Sequence, residues 1–479
     1  MNYRMIGYLL GLILLIEAAL MMLPLSTALI FGENVMPFII TVLIILAVAL
    51  PFALFKPKNS QIYTKEGFVT VAAGWILLSA FGALPFVISG TIPNYINAFF
   101  ETVSGFTTTG ATILSNIEAL PKGLLFWRSF THWIGGMGVL VFVLAILPSS
   151  GGQAMYLMRA EVPGPTKGKL VPKMRQTALI LYGIYFVLTI FQVLALLICS
   201  FPLYDALVTT FATAGTGGFS VLNASIAGYN NPAAEWVIAV FMLLFGLNFN
   251  LYFLLLIRKV KDVFKSEELR AYIIICAAST VAIAINTAHM FNGLEECLRI
   301  SFFQVSSIMT TTGFVTSNFG LWPVFSKSII IILMIVGACA GSTAGGLKVS
   351  RILILLKNIA KEFKRIVRPR SVNVVRLDGE VLSPETVHIA TGYLTVYITI
   401  IIITVLCVSL DGFSFETNFT ATLSCINNVG PILGDIGPTG NMYDFSYPSK
   451  IILSLNMLIG RLEIMPMIVL FSPSTWRKR

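Results

Sequence analysis

The stretch SGFTTTGAT, Ser104 to Thr112, returns as IMTTTGFVT at Ile308 to Thr316. Each copy follows a short segment, NYINAFFETVSGF before Thr107 and EECLRISFFQVSSIM before Thr310. As a helix, each segment runs about three turns, roughly half the depth of a bilayer's hydrocarbon layer. LYDALVTTFATAGTGGFS, Leu203 to Ser220, and FETNFTATLSCINNVGPILG, Phe415 to Gly434, supply two degenerate copies. Aligning Gly110, Gly218, Gly313 and Gly430, spaced 95 to 117 residues apart, stacks TTTGA, GTGGF, TTTGF and NNVGP. A repeat at fixed position between longer apolar segments is an architecture signal.

Of the 479 residues, 56% are hydrophobic and 11% charged, against about 25% charged in soluble domains. Lipid is the solvent for such a chain. Ten apolar windows are long enough to span, near 6–31, 36–55, 67–90, 124–147, 177–201, 233–257, 271–291, 327–347, 388–410 and 450–471. All are expected to be helices, because a backbone in lipid must satisfy its own hydrogen bonds. The first window, carrying Glu17 and followed closely by a second span, reads as a mature helix and not a signal peptide.

The net charge of +10 is distributed by side. Basic clusters at Lys56 to Lys65, Arg159 to Arg175, Arg258 to Arg270, Lys348 to Arg376 and Arg477 to Arg479 all fall on one side of a ten-span chain whose N-terminus is cytoplasmic. That is the positive-inside pattern, and it argues against nucleic acid as partner. The six cysteines show no CxxC pairing and the three histidines no metal-ligand spacing. The fold expected is an all-α polytopic membrane protein with four parallel helix–pore-loop–helix repeats in pseudo-fourfold arrangement. The divisions are a two-helix unit (1–60) and pore repeats at 61–150, 151–262, 263–376 and 377–479. The third carries a basic amphipathic segment, Arg351 to Arg370, suited to headgroups, to a second copy or to a regulator.

The turns suit an ion pathway. A cation leaving water needs fixed oxygens in place of its hydration shell, and rings of backbone carbonyls supply them. Glycine allows the positive φ that aims successive carbonyls one way, and threonine adds a hydroxyl. The candidate filter is therefore Thr107, Thr108, Thr109, Gly110 and Ala111; Gly215, Thr216, Gly217, Gly218 and Phe219; Thr310, Thr311, Thr312, Gly313 and Phe314; and Asn427, Asn428, Val429, Gly430 and Pro431. The short helices would point the negative ends of their dipoles at the ion.

These motifs, with HWIGGMG (His132 to Gly138) and GACAGSTAGGLK (Gly337 to Lys348), resemble the Trk/Ktr/HKT superfamily of potassium transport proteins over essentially the whole chain, most closely its bacterial TrkH/TrkG branch. The resemblance implies a potassium-permeable pore in the inner membrane with both termini cytoplasmic. It also implies potassium ion as the ligand, a homodimer with one pore per subunit, and a cytosolic nucleotide-binding partner with RCK domains. Glycine at all four aligned positions goes with potassium, whereas serine at the first goes with sodium in HKT relatives. This chain departs from the pattern at Gly215-Thr216-Gly217 and at Ile432.

The resemblance also implies an intramembrane gate made of Gly337, Gly341, Ser342, Thr343, Ala344, Gly345, Gly346 and Lys348, with Arg461 as a positive barrier beside it. From the residues alone, the glycine run also fits close helix packing, and Arg461 also fits a buried pair with a carbonyl or acid such as Glu463. Arg128 and His132 read as structural, and Glu17 as a packing contact. An ion-coupled transporter of another solute and a sodium-permeable relative remain the competing functions. An enzyme is excluded by the want of clustered acids or histidines at a membrane face.

Overall fold

The computed structural model describes residues 1–55, 57, 59, 62–138, 174–370 and 373–476. The basic residues Lys56, Lys58, Arg159, Lys167, Lys169, Lys173, Arg477, Lys478 and Arg479, and positions 139–147 of the fourth expected span, lie outside the described residues.

Six described helices are long and apolar enough to cross a bilayer: Tyr3–Ile30, Met36–Ala53, Thr64–Ile88, Gln176–Ile198, Glu267–Met290 and Pro384–Asp411. Their outward residues, among them Leu43, Phe191, Ile285 and Ile402, stay exposed, as lipid-facing positions should. Within the described residues the β-structure is one hairpin, Arg376–Leu377 with Glu380–Val381. It is tied to the start of Glu267–Thr287 through Asp378, whose Oδ1 accepts the Glu267 N–H at 2.6 Å.

Each repeat is a long first helix, a short helix, a turn and a second helix. The short helices are Tyr95–Phe106, Leu203–Ala214, Leu294–Met309 and Phe415–Asn427. Their starts are set locally. Asn94 accepts the Ile96 N–H at 2.9 Å, Ser414 accepts that of Thr417 at 3.4 Å, and Pro202 precedes Leu203, as helix N-termini require. Aromatic residues wedge the first short helix into the bundle: Phe100, Phe106, Trp75 and Trp127 share one buried cluster, and Trp127 Nε1 donates to Gly82 O at 3.0 Å.

The second helices depart from the sequence reading at 233–257 and 450–471, which read as single spans. They are Lys122–Gly136, Pro232–Phe245, Val324–Val336 and Tyr447–Arg461. The second turns by 88° into Phe249–Leu256. The third stops at Gly337, φ +67°. The fourth breaks at Glu463 and Ile464, φ +54° and +70°, before Met465–Phe471. A glycine stands at or just before the end of each: Gly135, Gly246, Gly337 and Gly460. A Cβ there would come closer than 3.0 Å to the Phe106 carbonyl, the Thr310 side chain, the Gly345 carbonyl and the Ile426 carbonyl respectively. Close backbone approach at the bundle centre decides these positions, which the apolarity of the windows conceals.

Candidate functional site

The four turns form a closed ring. A Cβ at Gly110 would strike the Gly217 carbonyl, one at Gly218 that of Thr312, one at Gly313 that of Val429, and one at Gly430 that of Thr109. Each glycine thus abuts the carbonyl before the next glycine, from repeat 1 through 4 and back to 1. Their φ values are +78°, +77°, +82° and +101°, a region a side chain disfavours. Two residues earlier Thr108, Thr216, Thr311 and Asn428 also have positive φ, +55°, +56°, +55° and +55°. A non-glycine residue in that region costs about 1–3 kcal/mol and persists where its surroundings dictate it.

Those surroundings repeat too. The third residue of every turn donates its N–H five residues back into its short helix: Thr109 to Ser104, Gly217 to Ala212, Thr312 to Ser307 and Val429 to Ser424, at 2.8 to 2.9 Å. Threonine hydroxyls then lock turns 1 and 3. Thr107 Oγ1 donates to Val103 O at 2.6 Å and lies 2.8 Å from Thr109 Oγ1; Thr310 repeats both contacts with Ser306 and Thr312. Asn428 Nδ2 joins the ends of the ring, donating to Thr109 Oγ1 at 2.9 Å. On one side the ring opens into a cavity lined by Ala111, Phe219, Pro431, Ser220 and Asn223 together with the four glycines. Phe314 instead turns into the packing beside Phe303 and Ile238.

On the opposite side a loop, 337–348, crosses beneath the ring. Gly345 N donates to Thr311 Oγ1 at 2.7 Å, and a Cβ at Gly345 would strike the Asn427 carbonyl. Repeats 2, 3 and 4 hold it, and repeat 1 is tied in through Arg461. Repeat 2 contributes Gly246 O to Cys339 N at 3.2 Å and Phe249 N to Gly341 O at 3.0 Å. Thr343 Oγ1 donates to Phe245 O at 3.2 Å. Repeat 3 contributes Glu268, whose Oε1 accepts the N–H groups of Ala340 at 2.7 Å and Ser350 at 3.1 Å. From repeat 4 Arg461 donates to Thr343 O at 2.6 Å, and it bonds Gly136 O at 2.7 Å and Gly135 O of repeat 1. Lys348, φ +67°, reaches back to the Ala344 carbonyl. Glu463 pairs with Arg351, which lies 4.2 Å from the Tyr393 ring centroid.

The site is thus a closed ring of backbone carbonyls above a loop held by an arginine. The family model described as TrkH, cation transport protein, matches residues 33–478. The chain belongs to the TrkH family. That family is a cation transporter and not an enzyme. The chain is 36% identical to the Trk system potassium uptake protein TrkH of Salmonella typhimurium over the whole of both chains. It is 32% identical to TrkG of Escherichia coli over 99% of each. The crystal structure of the potassium transporter TrkH from Vibrio parahaemolyticus superposes with a TM-score of 0.89, at 32% identity and full coverage of both chains.

Within this TrkH-family fold the structure brings the four aligned turns together, with Phe314 directed away into the packing, and gathers Gly337 to Lys348 with Arg461 under them. Glu463, offered as a partner for Arg461, pairs with Arg351. Sequence reasoning missed Glu268, because an acid near a span end has no local mark of a partner 72 residues away. It also missed Gly135, Gly246 and Gly460, although a glycine 24 to 30 residues after each ring glycine was there to be aligned.

Proposed function

We propose that the chain is a potassium uptake pore of the bacterial inner membrane, with the ring of turns as its selectivity filter and 337–348 with Arg461 as its gate. The observation that carries the reading is the ring itself: four glycines, each against the next repeat's carbonyl, at the C-terminal ends of four short helices. Such an array replaces an ion's water shell with fixed oxygens. Relatives named as potassium uptake proteins over their full length support potassium as the transported ion. The asymmetry of the basic residues supports cytoplasmic termini, the division at 1–60 and the four pore repeats.

A homodimer and a cytosolic RCK-type nucleotide-binding subunit complete the proposal. Its support is the helix Val349–Val367, which leaves Leu356, Ile359, Phe363 and Ile366 exposed among lysines and arginines and continues directly from the loop. A nucleotide-driven pull there would reach the loop through Lys348. The test is radiolabelled-rubidium uptake into potassium-loaded liposomes containing the purified protein. Uptake that unlabelled potassium competes away, and sodium does not, is expected. Liposomes that stay impermeable with and without the regulatory subunit would remove the proposal.

A further inference from the structure

Turns 1, 3 and 4 brace themselves with their own side chains. Besides the threonine pairs, Asn427 Nδ2 donates to Leu423 O at 3.0 Å and Asn428 Nδ2 to Met457 O at 2.9 Å. Turn 2 has glycine at both bracing positions, Gly215 and Gly217, yet Thr216 holds the same φ as its counterparts. The support comes from the second helix of repeat 1. A Cβ at Gly215 would fall closer than 3.0 Å to the His132 carbonyl, and one at Gly217 closer than 3.0 Å to the His132 imidazole. That ring stacks on Phe219, centroids 4.2 Å apart and planes 18° apart.

One helical turn earlier on the same face, Arg128 lies 3.5 Å from the Phe219 centroid and donates to Ser220 O at 3.0 Å. Glu101 fixes it at 2.6 Å. One helix face therefore grips turn 2 from below its glycine to above it. Three residues before the break glycines of the other repeats stand Leu243, Met334 and Met457, and the third turn position there is Thr312, Val429 or Thr109, never glycine. The histidine and the glycine occur together, at one repeat boundary.

We infer that His132 and Gly217 are a matched pair: the imidazole of repeat 1 occupies the place of the side chain that turn 2 lacks, and positions that quarter of the ring. His132 is on this account a positioning residue for ion discrimination, and the claim rests on the reading of the ring as a filter. Either partner changed alone unmakes the fit, by a void behind the backbone or by a clash with it. Changing both to the pairing found elsewhere in the chain, His132→Met with Gly217→Thr, should remake it.

The experiment measures sodium-to-potassium permeability ratios from reversal potentials of purified protein in planar bilayers. It compares wild type, His132→Met, Gly217→Thr, the double variant and Gly110→Ser. Each single variant of the pair is expected to raise the ratio roughly threefold or more, and the double to return to within about twofold of wild type, as contacting residues couple. If Gly217→Thr does not fold, His132→Ala against His132→Gln gives the same answer, since glutamine keeps most of the volume and should preserve more selectivity. Singles that match wild type, or a double whose defect is the product of both, would overturn the pair. If Gly110→Ser also leaves the ratio unchanged, the filter reading falls with it; if Gly110→Ser alone changes the ratio, only the pair is lost.

Discussion

Arg128 and Glu101 are both buried, 2.6 Å apart, and each holds further polar partners. Glu101 accepts the Thr112 hydroxyl and the Ile113 N–H, both at 2.9 Å, and Arg128 bonds Ser220. Removing one partner of such a pair strands a charge, at about 3–5 kcal/mol. Arg128→Met should therefore lower the unfolding midpoint in detergent sharply. Arg128→Met with Glu101→Gln, which keeps an acceptor for Thr112 and Ile113, should lose much less. Equal losses in a thermal-shift measurement would show that the pair is not the stabilising unit. At this scale the sequence was partly legible. The turn residues announce themselves because four copies can be compared, whereas Arg128–Glu101, Arg351–Glu463 and Glu268 with Ala340 are single tertiary meetings with no periodicity to betray them.

The loop 337–348 leaves Val324–Val336 at Gly337 and re-enters helix at Val349, so its backbone polar groups need partners from outside. Arg461 supplies one, to Thr343 O; on the proposed reading its fixed positive charge lies in a low-dielectric passage, where it acts on a cation several times more strongly than in water. Arg461→Ala, or deletion of Ala340 to Ala344, should raise potassium flux in the absence of any regulator and leave the potassium preference intact. Combined, they should gain less than the two singles together, because both release one latch. Flux at or below wild type in both singles, measured on folded protein, would leave the glycine run with a packing role alone. The windows 233–257 and 450–471 read as unbroken because apolar residues continue past each break, whereas the glycine run in 327–347 already points to one. Hydropathy reports the solvent, while the glycine at or before each break answers to a close tertiary contact.

Beyond the first two long helices, the four turns close into a cycle, with the contact between Gly430 and Thr109 returning the fourth to the first. Closure within one chain makes the four quarters chemically unequal, so each may be tested alone. This architecture was the most legible level, since span count, charge asymmetry and repeat spacing all derive from the bilayer as solvent. The measurement closest to the central claim is the reversal potential of the purified protein under opposed potassium and sodium gradients, wild type beside Gly110→Ser. A Cβ and hydroxyl at position 110 would press on the Gly217 carbonyl and disfavour φ +78°. The account predicts a wild-type reversal near the potassium equilibrium potential and a clear displacement of the mutant towards the sodium value. A wild-type potential indifferent to which cation is concentrated, or a mutant that reverses where wild type does, would contradict it.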